Sequence, residues 1–237
     1  MCSAFCRSFD PLTATPQQIA AWLARPGLAP WTRHSYYGHL RSLFDWLRRD
    51  GRRPDDPMID MRAPRRPPQK PRPLTVDEAA RALSAADPAE RAWLMFALFA
   101  GLRVFEIAKL RGEDISVDAI YVRGKGGKDA MVPTHPELWA LAQTLPRIGW
   151  LFPSPWRNRD HVCGPTITRR ITALFSSLGI EGSIHRGRHS YCTNLMRAGV
   201  KLPVVQQLAR HSSLATTAGY LAVDEDERRA AVALLSA

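Results

Sequence analysis

No apolar stretch in the 237 residues is long enough to span a lipid bilayer. The longest, Ala92 to Leu102, is closed by Arg103 and is much shorter than the roughly 20 residues that a transmembrane helix requires. The N-terminal MCSAFCRSFDP also lacks the charged start, the apolar middle and the cleavage site of a secretory signal. We therefore expect a cytoplasmic protein that does not span a membrane, with Ala92 to Leu102 in a buried helix.

Cysteines and acidic residues are both scarce. The four cysteines form no CxxC pair and have no histidine partner at zinc-ligand spacing, so we expect reduced thiols and no metal site.

Lys and Arg number 33 against 22 Asp and Glu, which gives a formal net charge of +11. This excess favours a polyanionic partner, because basic side chains placed against phosphates release condensed counterions. DNA, RNA and acidic membrane surfaces all fit the charge alone.

The first part of the chain is predicted to be a small helical domain followed by a basic linker. Helices are expected over Pro16–Ala24 and about Trp31–Arg49, the second with apolar residues at helical spacing. Prolines forbid a helix over 62–73, where acidic residues are absent and five cations occur: Arg62, Arg65, Arg66, Lys70 and Arg72. The stretch fits a solvated tether and direct DNA contact equally well. The predicted organisation is a domain at 1–61, a linker at 62–73 and a second domain at 74–237.

The second domain is predicted to be mainly helical. Thr75 and Glu78 form a T-x-x-E capping box, which indicates the start of a helix. Helices are then expected to about residue 86 and over 90–110, and residues 119–132 alternate around a Gly-rich turn, as in a β-hairpin. Further helices are expected at about 165–178, 189–198, 202–210, 213–220 and 224–235. The predicted fold class is mainly α with a small antiparallel β-sheet.

Several side chains of this domain could act on a phosphate, although each alone has a simpler structural explanation. Arg103 ends the apolar stretch of the helix predicted at 90–110, and a cation near a helix end is ordinary; Glu106 one turn later could hold its guanidinium. Lys125 lies in GKGGK, where glycines allow close approach to a phosphate, but any exposed turn accommodates a lysine.

The C-terminal part of the chain adds two histidines, an arginine and a tyrosine. His185 and Arg188 form an H-x-x-R pattern, which is frequent by chance and brings both side chains to one side if a helix begins there. His211 precedes Tyr220 by nine residues in HSSLATTAGY. A lone tyrosine in a C-terminal helix is usually a half-buried packing residue.

The combination of these residues is more specific than any one of them, because together they can transfer a phosphoryl group without a metal. The order along the chain is Arg103, Lys125, His185, Arg188, His211, Tyr220. The Tyr220 phenol is mostly protonated at neutral pH, since a tyrosine titrates near pH ~10, so a base must assist its attack on phosphorus. His185 is the candidate base.

The remaining residues of the set suit the charge and the proton of the same reaction. The guanidinium groups of Arg103 and Arg188 can neutralise negative charge that spreads over the phosphate oxygens in the transition state. His211 can donate a further hydrogen bond, and Lys125 on the hairpin is a candidate general acid for the leaving sugar oxygen.

With these residues the sequence resembles the tyrosine recombinase family, which includes phage integrases and the Xer recombinases. Four segments carry the resemblance: FAGLRVFEIAKL, VRGKGGKDAMVPTH, IHRGRHSYCTNLMRAG and VVQQLARHSSLATTAGYL. It implies that the six residues above are catalytic, with Tyr220 as the nucleophile and Glu106 as the support of Arg103. It also implies a site-specific recombinase that cleaves and rejoins double-stranded DNA through a 3′-phosphotyrosyl intermediate.

The resemblance carries further expectations about partners and assembly. It implies two domains that clamp DNA, a homotetramer on paired sites, accessory DNA-bending proteins in some members, association with the nucleoid when DNA is bound, and no cofactor or membrane partner.

The sequence departs from the family pattern at three places. Gly187 stands where relatives usually carry leucine, and Arg210 stands where glycine usually precedes the last histidine. About half of the helical core-binding domain is also expected to be missing ahead of the helix at 31–49. Two alternatives therefore stay open: a DNA-binding but catalytically impaired, truncated recombinase, and a relative that cuts and reseals one strand as type IB topoisomerases do.

Overall fold

The computed structural model describes residues 2–65, 72–124, 129–156 and 159–210. The chain divides into two compact units, Met1–Gln69 and Lys70–Ala237. The helices expected at 213–220 and 224–235 lie outside the described residues. None of the described helices is long and apolar enough to cross a membrane. The described residues are mainly helical with one two-stranded antiparallel sheet, which confirms the predicted fold class.

The first unit has an aromatic core of its own. Its described helices are α1 Cys2–Cys6, α2 Pro16–Ala24 and α3 Pro30–Arg49. Helix α2 has the predicted bounds because Thr15 and Gln18 form a reciprocal capping box in front of Pro16. Between the helices, the ring of Phe5 meets Trp22 and Phe44 edge-on, with ring centroids 5.3 and 6.0 Å apart.

The second unit contains helices and the hairpin. Its described elements are α4 Val76–Ala85, α5 Pro88–Phe99, α6 Val104–Ala108, β1 Ala119–Val122, β2 Ala130–Pro133, α7 Pro136–Ala142, α8 Gly164–Ser177, α9 His185–Arg197 and α10 Leu202–Ala209. Strands β1 and β2 pair with Ala119 opposite Pro133 and Val122 opposite Ala130, so the predicted hairpin is confirmed.

Helix α5 is the centre of this unit. Its residues 92–97 are all buried, and the ring of Phe152 packs edge-on against Trp93 and Phe96. Helix α9 approaches α5 at Gly187, where an added Cβ would lie 2.9 Å from the Cβ of Ala97. The absence of a side chain at position 187 therefore lets the two helices come close together.

One predicted helix is wrong in its length. Residues 90–110 do not form a single helix, because α5 ends at Phe99 and α6 begins at Val104. Gly101 between them has a φ of +59°, a conformation that favours glycine, and an added Cβ there would lie 2.4 Å from the ring of Tyr191. Arg103 consequently precedes α6 instead of lying inside a helix.

Candidate active site

Arg103 is held by Glu106 at the start of α6. The Arg103 backbone N–H donates to one carboxylate oxygen of Glu106 at 2.7 Å, and its Nη1 donates to the other at 2.9 Å. The Glu106 side chain is 8% exposed, whereas that of Arg103 is 43% exposed. The carboxylate is thus buried behind a guanidinium that solvent and ligands can reach.

Arg188 lies deeper than Arg103, on the first turn of α9. Its two terminal nitrogens donate to the backbone carbonyls of Gly101 and Ala209. Burial, and then the positive charges of Arg103 and Arg210, lower the pKa of Arg188 to about 10. The guanidinium still carries its charge at neutral pH, and its fork is fixed by two hydrogen bonds.

The C-terminal end of α10 holds both arginines. Arg188 donates to the carbonyl of Ala209, and Nη2 of Arg103 donates to the carbonyl of Arg210 at 3.0 Å. The last carbonyls of a helix have no partner within the helix, so they are free to accept these bonds. Two candidate residues that are 85 positions apart in sequence are brought together in this way.

His185 is the first residue of α9, so the H-x-x-R pattern does begin a helix. The side chain is at the surface, yet partial desolvation, followed by the positive charge of Arg188, lowers its pKa. Burial, and then the charges of His185 and Arg188, also lower the pKa of His189. His185 is therefore mainly neutral at pH 7, the form in which an imidazole can accept a proton.

Arg210 completes the group, although the sequence pattern indicates no role for it beyond a departure from the family. Its Nη2 donates at 2.7 Å to the same Glu106 oxygen that accepts the Arg103 backbone N–H. Burial would raise the pKa of Glu106, but Arg210 and Arg103 together lower it. We call Arg103, Arg188, Arg210 and Glu106 the arginine cluster, which keeps a net positive charge suited to a phosphate.

The residues around this cluster match a model of the phage integrase family over 72–227, about two thirds of the chain. The chain belongs to the phage integrase family. The other comparisons agree with this membership and extend beyond the matched segment.

Relatives of this family member include XerC and XerD recombinases. The tyrosine recombinase XerD of Listeria innocua is 30% identical over 234 residues, which cover 89% of this chain and 79% of the relative. The tyrosine recombinase XerC of Rhodospirillum centenum is 34% identical, with 87% and 67% covered.

Solved structures of integrases have the same fold. The integrase from mycobacterium phage Brujita is 36% identical, with a TM-score of 0.58 over 97% of this chain and 80% of that chain. A lambda integrase dimer bound to a COC′ core site has a TM-score of 0.68 at 19% identity and covers 92% of this chain and 84% of that chain. The latter likeness concerns the fold alone.

Three of the candidate residues of this family member lie outside the described residues, namely Lys125, His211 and Tyr220. The base of the hairpin that carries Lys125 is described. Asp129 accepts hydrogen bonds from the Tyr121 hydroxyl and, at 3.0 Å, from the Gly124 backbone N–H. The hydrogen bond between Gly124 and Asp129 therefore joins the two described residues that flank residues 125–128.

The cations of the predicted linker are described only in part. Arg62, Arg65 and Arg72 are exposed, while Arg66 and Lys70 lie outside the described residues. Within the described part of the chain, no group of three or more His, Cys, Asp or Glu side chains could hold a metal ion.

Proposed function

We propose that this family member is a site-specific DNA recombinase that cleaves and rejoins strands through a 3′-phosphotyrosyl intermediate on Tyr220. The observation that carries the proposal is the arginine cluster. Arg103 and Arg188 are fixed by a buried carboxylate and by backbone carbonyls, so their guanidinium groups are set before any ligand binds. Groups fixed in this way can stabilise charge on a phosphate in the transition state without reorganising.

In this proposal the residues divide the steps of one transesterification. The Tyr220 oxygen attacks the scissile phosphorus and loses its proton to His185, while the 5′ oxygen of the leaving strand takes a proton from Lys125. Arg103, Arg188 and His211 bind the nonbridging oxygens. The phosphodiester energy is retained in the tyrosyl ester, and attack by a 5′ hydroxyl reverses the step, so the residues themselves account for the chemistry.

The proposed partner is double-stranded DNA. The lambda integrase neighbour was solved on a DNA core site, and the exposed cations Arg62 and Arg65 offer phosphate contacts in the linker. Two side chains of α3 hold the chain near them: the Tyr37 hydroxyl donates to the Met61 carbonyl at 2.6 Å, and His34 Nδ1 lies 2.8 Å from the Pro64 carbonyl oxygen. We extend the proposal to a homotetramer on paired sites, with accessory DNA-bending proteins where a site requires them.

A covalent capture experiment tests this proposal. The purified chain is incubated with nicked duplexes drawn from the DNA that flanks its gene, because the nick lets a short cleaved strand diffuse away and traps the enzyme. We expect a protein–DNA adduct that survives denaturation, maps to the Tyr220 peptide by mass spectrometry and is lost in Tyr220→Phe. Salt-sensitive DNA binding without any adduct would instead favour the DNA-binding, catalytically impaired alternative.

The rate of adduct formation should depend on pH through His185. The lowered pKa means that His185 stays neutral down to a pH below its ordinary value of 6.5. We expect a rate limited by this base to fall about tenfold per pH unit below the His185 pKa, because protonated imidazole accepts no proton. Single-turnover rates measured over about three pH units, from about pH 5 to about pH 8, report this dependence.

His189 supplies the matched control, because its pKa is lowered as well and it lies one turn further along α9. His185→Gln should form the adduct slowly, and its rate should no longer fall below the His185 pKa. His189→Gln should keep the inflection in the plot of rate against pH. An inflection that persists unchanged in His185→Gln would assign the base to another residue.

A further inference from the structure

Arg210 has a backbone conformation that its residue type does not favour. It ends α10 with φ 53° and ψ 45°, and among the described residues it is the only one other than glycine with a positive φ. Glycine is the usual residue in this position at the end of a helix, because a Cβ is strained there. Such a conformation persists only where the surrounding structure offsets the strain.

The contacts of the Arg210 side chain lead to Glu106. Its Nη2 donates to the Glu106 carboxylate at 2.7 Å, its Nη1 donates to the Leu208 carbonyl at 3.2 Å, and its Nε is buried without a hydrogen-bond partner in the described part of the chain. The side chain is 13% exposed. Arg210 is thus largely covered by the protein, whereas the Arg103 side chain is 43% exposed.

Arg210 acts on Arg103 by two routes at once. Its side chain binds the carboxylate oxygen that also holds the Arg103 backbone N–H, and its own carbonyl accepts from Arg103 Nη2 at 3.0 Å. The left-handed backbone turn determines where that carbonyl points. We infer that Arg210 is a positioning residue for strand cleavage, an inference that rests on the proposed function. Arg210 fixes the Arg103 guanidinium through Glu106.

Substitutions at position 210 separate the side chain from the backbone turn. Arg210→Gly removes the side chain and suits the left-handed conformation, whereas Arg210→Ala removes the side chain and keeps the strain. Arg210→Lys keeps the positive charge but lacks the paired nitrogens of the guanidinium. We expect Arg210→Gly to slow adduct formation at saturating DNA by about ten- to a hundredfold, since small displacements of a catalytic group have effects of this size. DNA affinity should change by less than about threefold, because the phosphate-contacting surface elsewhere is intact.

Comparison among the variants distinguishes positioning from a purely structural role. Arg210→Gly should melt at a higher temperature than Arg210→Ala, since glycine relieves the strain, while the two cleave equally slowly. Arg210→Lys should recover part of the rate. A double-mutant cycle with Glu106→Gln tests whether Arg210 acts through Glu106. The variant that carries both Arg210→Gly and Glu106→Gln should cleave no more slowly than Glu106→Gln alone. Additive losses, or an Arg210→Gly rate equal to that of the unmodified chain, would overturn the inference.

A second measurement does not depend on catalysis. Nitrogen-15 NMR of the arginine side chains reports how fast the Arg103 guanidinium rotates, and we expect faster rotation in Arg210→Gly than in the unmodified chain, because Glu106 loses the partner that fixes it. Failure of the unmodified chain to form an adduct would contradict the proposed function alone, and the NMR comparison would still decide the role of Arg210. Equally slow rotation of the Arg103 guanidinium in both proteins would refute the positioning role.

Discussion

Replacing Arg188 by methionine should reduce the rate of adduct formation by about a hundred- to a thousandfold, the range for loss of one fixed donor to transition-state charge. The loss of folding stability should be smaller than the two lost hydrogen bonds suggest. The carbonyls of Gly101 and Ala209 lose their donor, at about 1–3 kcal/mol each. This cost is partly offset because a cation no longer lies buried beside Arg103 and Arg210.

Single-turnover capture well below the melting temperature separates the two effects, and thermal melting reports the stability of each variant. Arg197→Met is the matched control, because Arg197 is an exposed cation in the last turn of the same helix α9. It should cost no more than about 1 kcal/mol, the size of a favourable charge at a helix end, and leave the rate unchanged. Cleavage by Arg188→Met within about threefold of the unmodified rate would contradict the role of Arg188 in charge stabilisation.

The elements that the sequence predicts well are those determined by neighbouring residues. The capping boxes of Thr15 with Gln18 and of Thr75 with Glu78 each begin a helix in the structure. The hairpin at 119–132 follows from alternation around a Gly-rich turn, which is equally local. The sequence pattern does not predict helix α7, although Pro136 in its first turn and Glu137 beside it are ordinary start signals. The helix has only seven residues, so the apolar pattern that follows these signals is too short to indicate a helical period.

Features that depend on distant residues were beyond sequence reasoning. The break between α5 and α6 depends on Gly101, whose missing Cβ makes room for the ring of Tyr191 on another helix. The candidate residues Arg103 and Arg188 were identified by type and order, but the carbonyls at the end of α10 that hold them were not. Arg210 shows the limit most clearly. Its type predicts neither the left-handed backbone nor the bond to Glu106, since both arise from tertiary contacts.

Glu106→Gln should be the most destabilising single change in the arginine cluster. The carboxylate is the shared partner of Arg103 and Arg210, and its removal leaves the buried Arg210 guanidinium without an acidic partner, a loss of about 3–5 kcal/mol for a broken buried pair. Urea denaturation at pH 7 measures this difference in the free energy of unfolding. The rate of adduct formation should fall as well, because the glutamine amide has one acceptor oxygen and cannot accept both of the hydrogen bonds that Arg103 donates to the carboxylate.

The same variant should reveal how Glu106 responds to pH. Burial raises the Glu106 pKa, but Arg210 and Arg103 lower it further than burial raises it, to below the ordinary value of 4.5. The stabilisation is therefore present above the unfolded pKa and lost as pH falls through the folded pKa. We expect the stability difference between the unmodified chain and Glu106→Gln to be largest above about pH 5 and to shrink in acid. Glu181→Gln, at a side chain that is 93% exposed, should show little difference at any pH. A difference for Glu106→Gln that stayed constant into acid would mean that the carboxylate is not ionised between the two arginines.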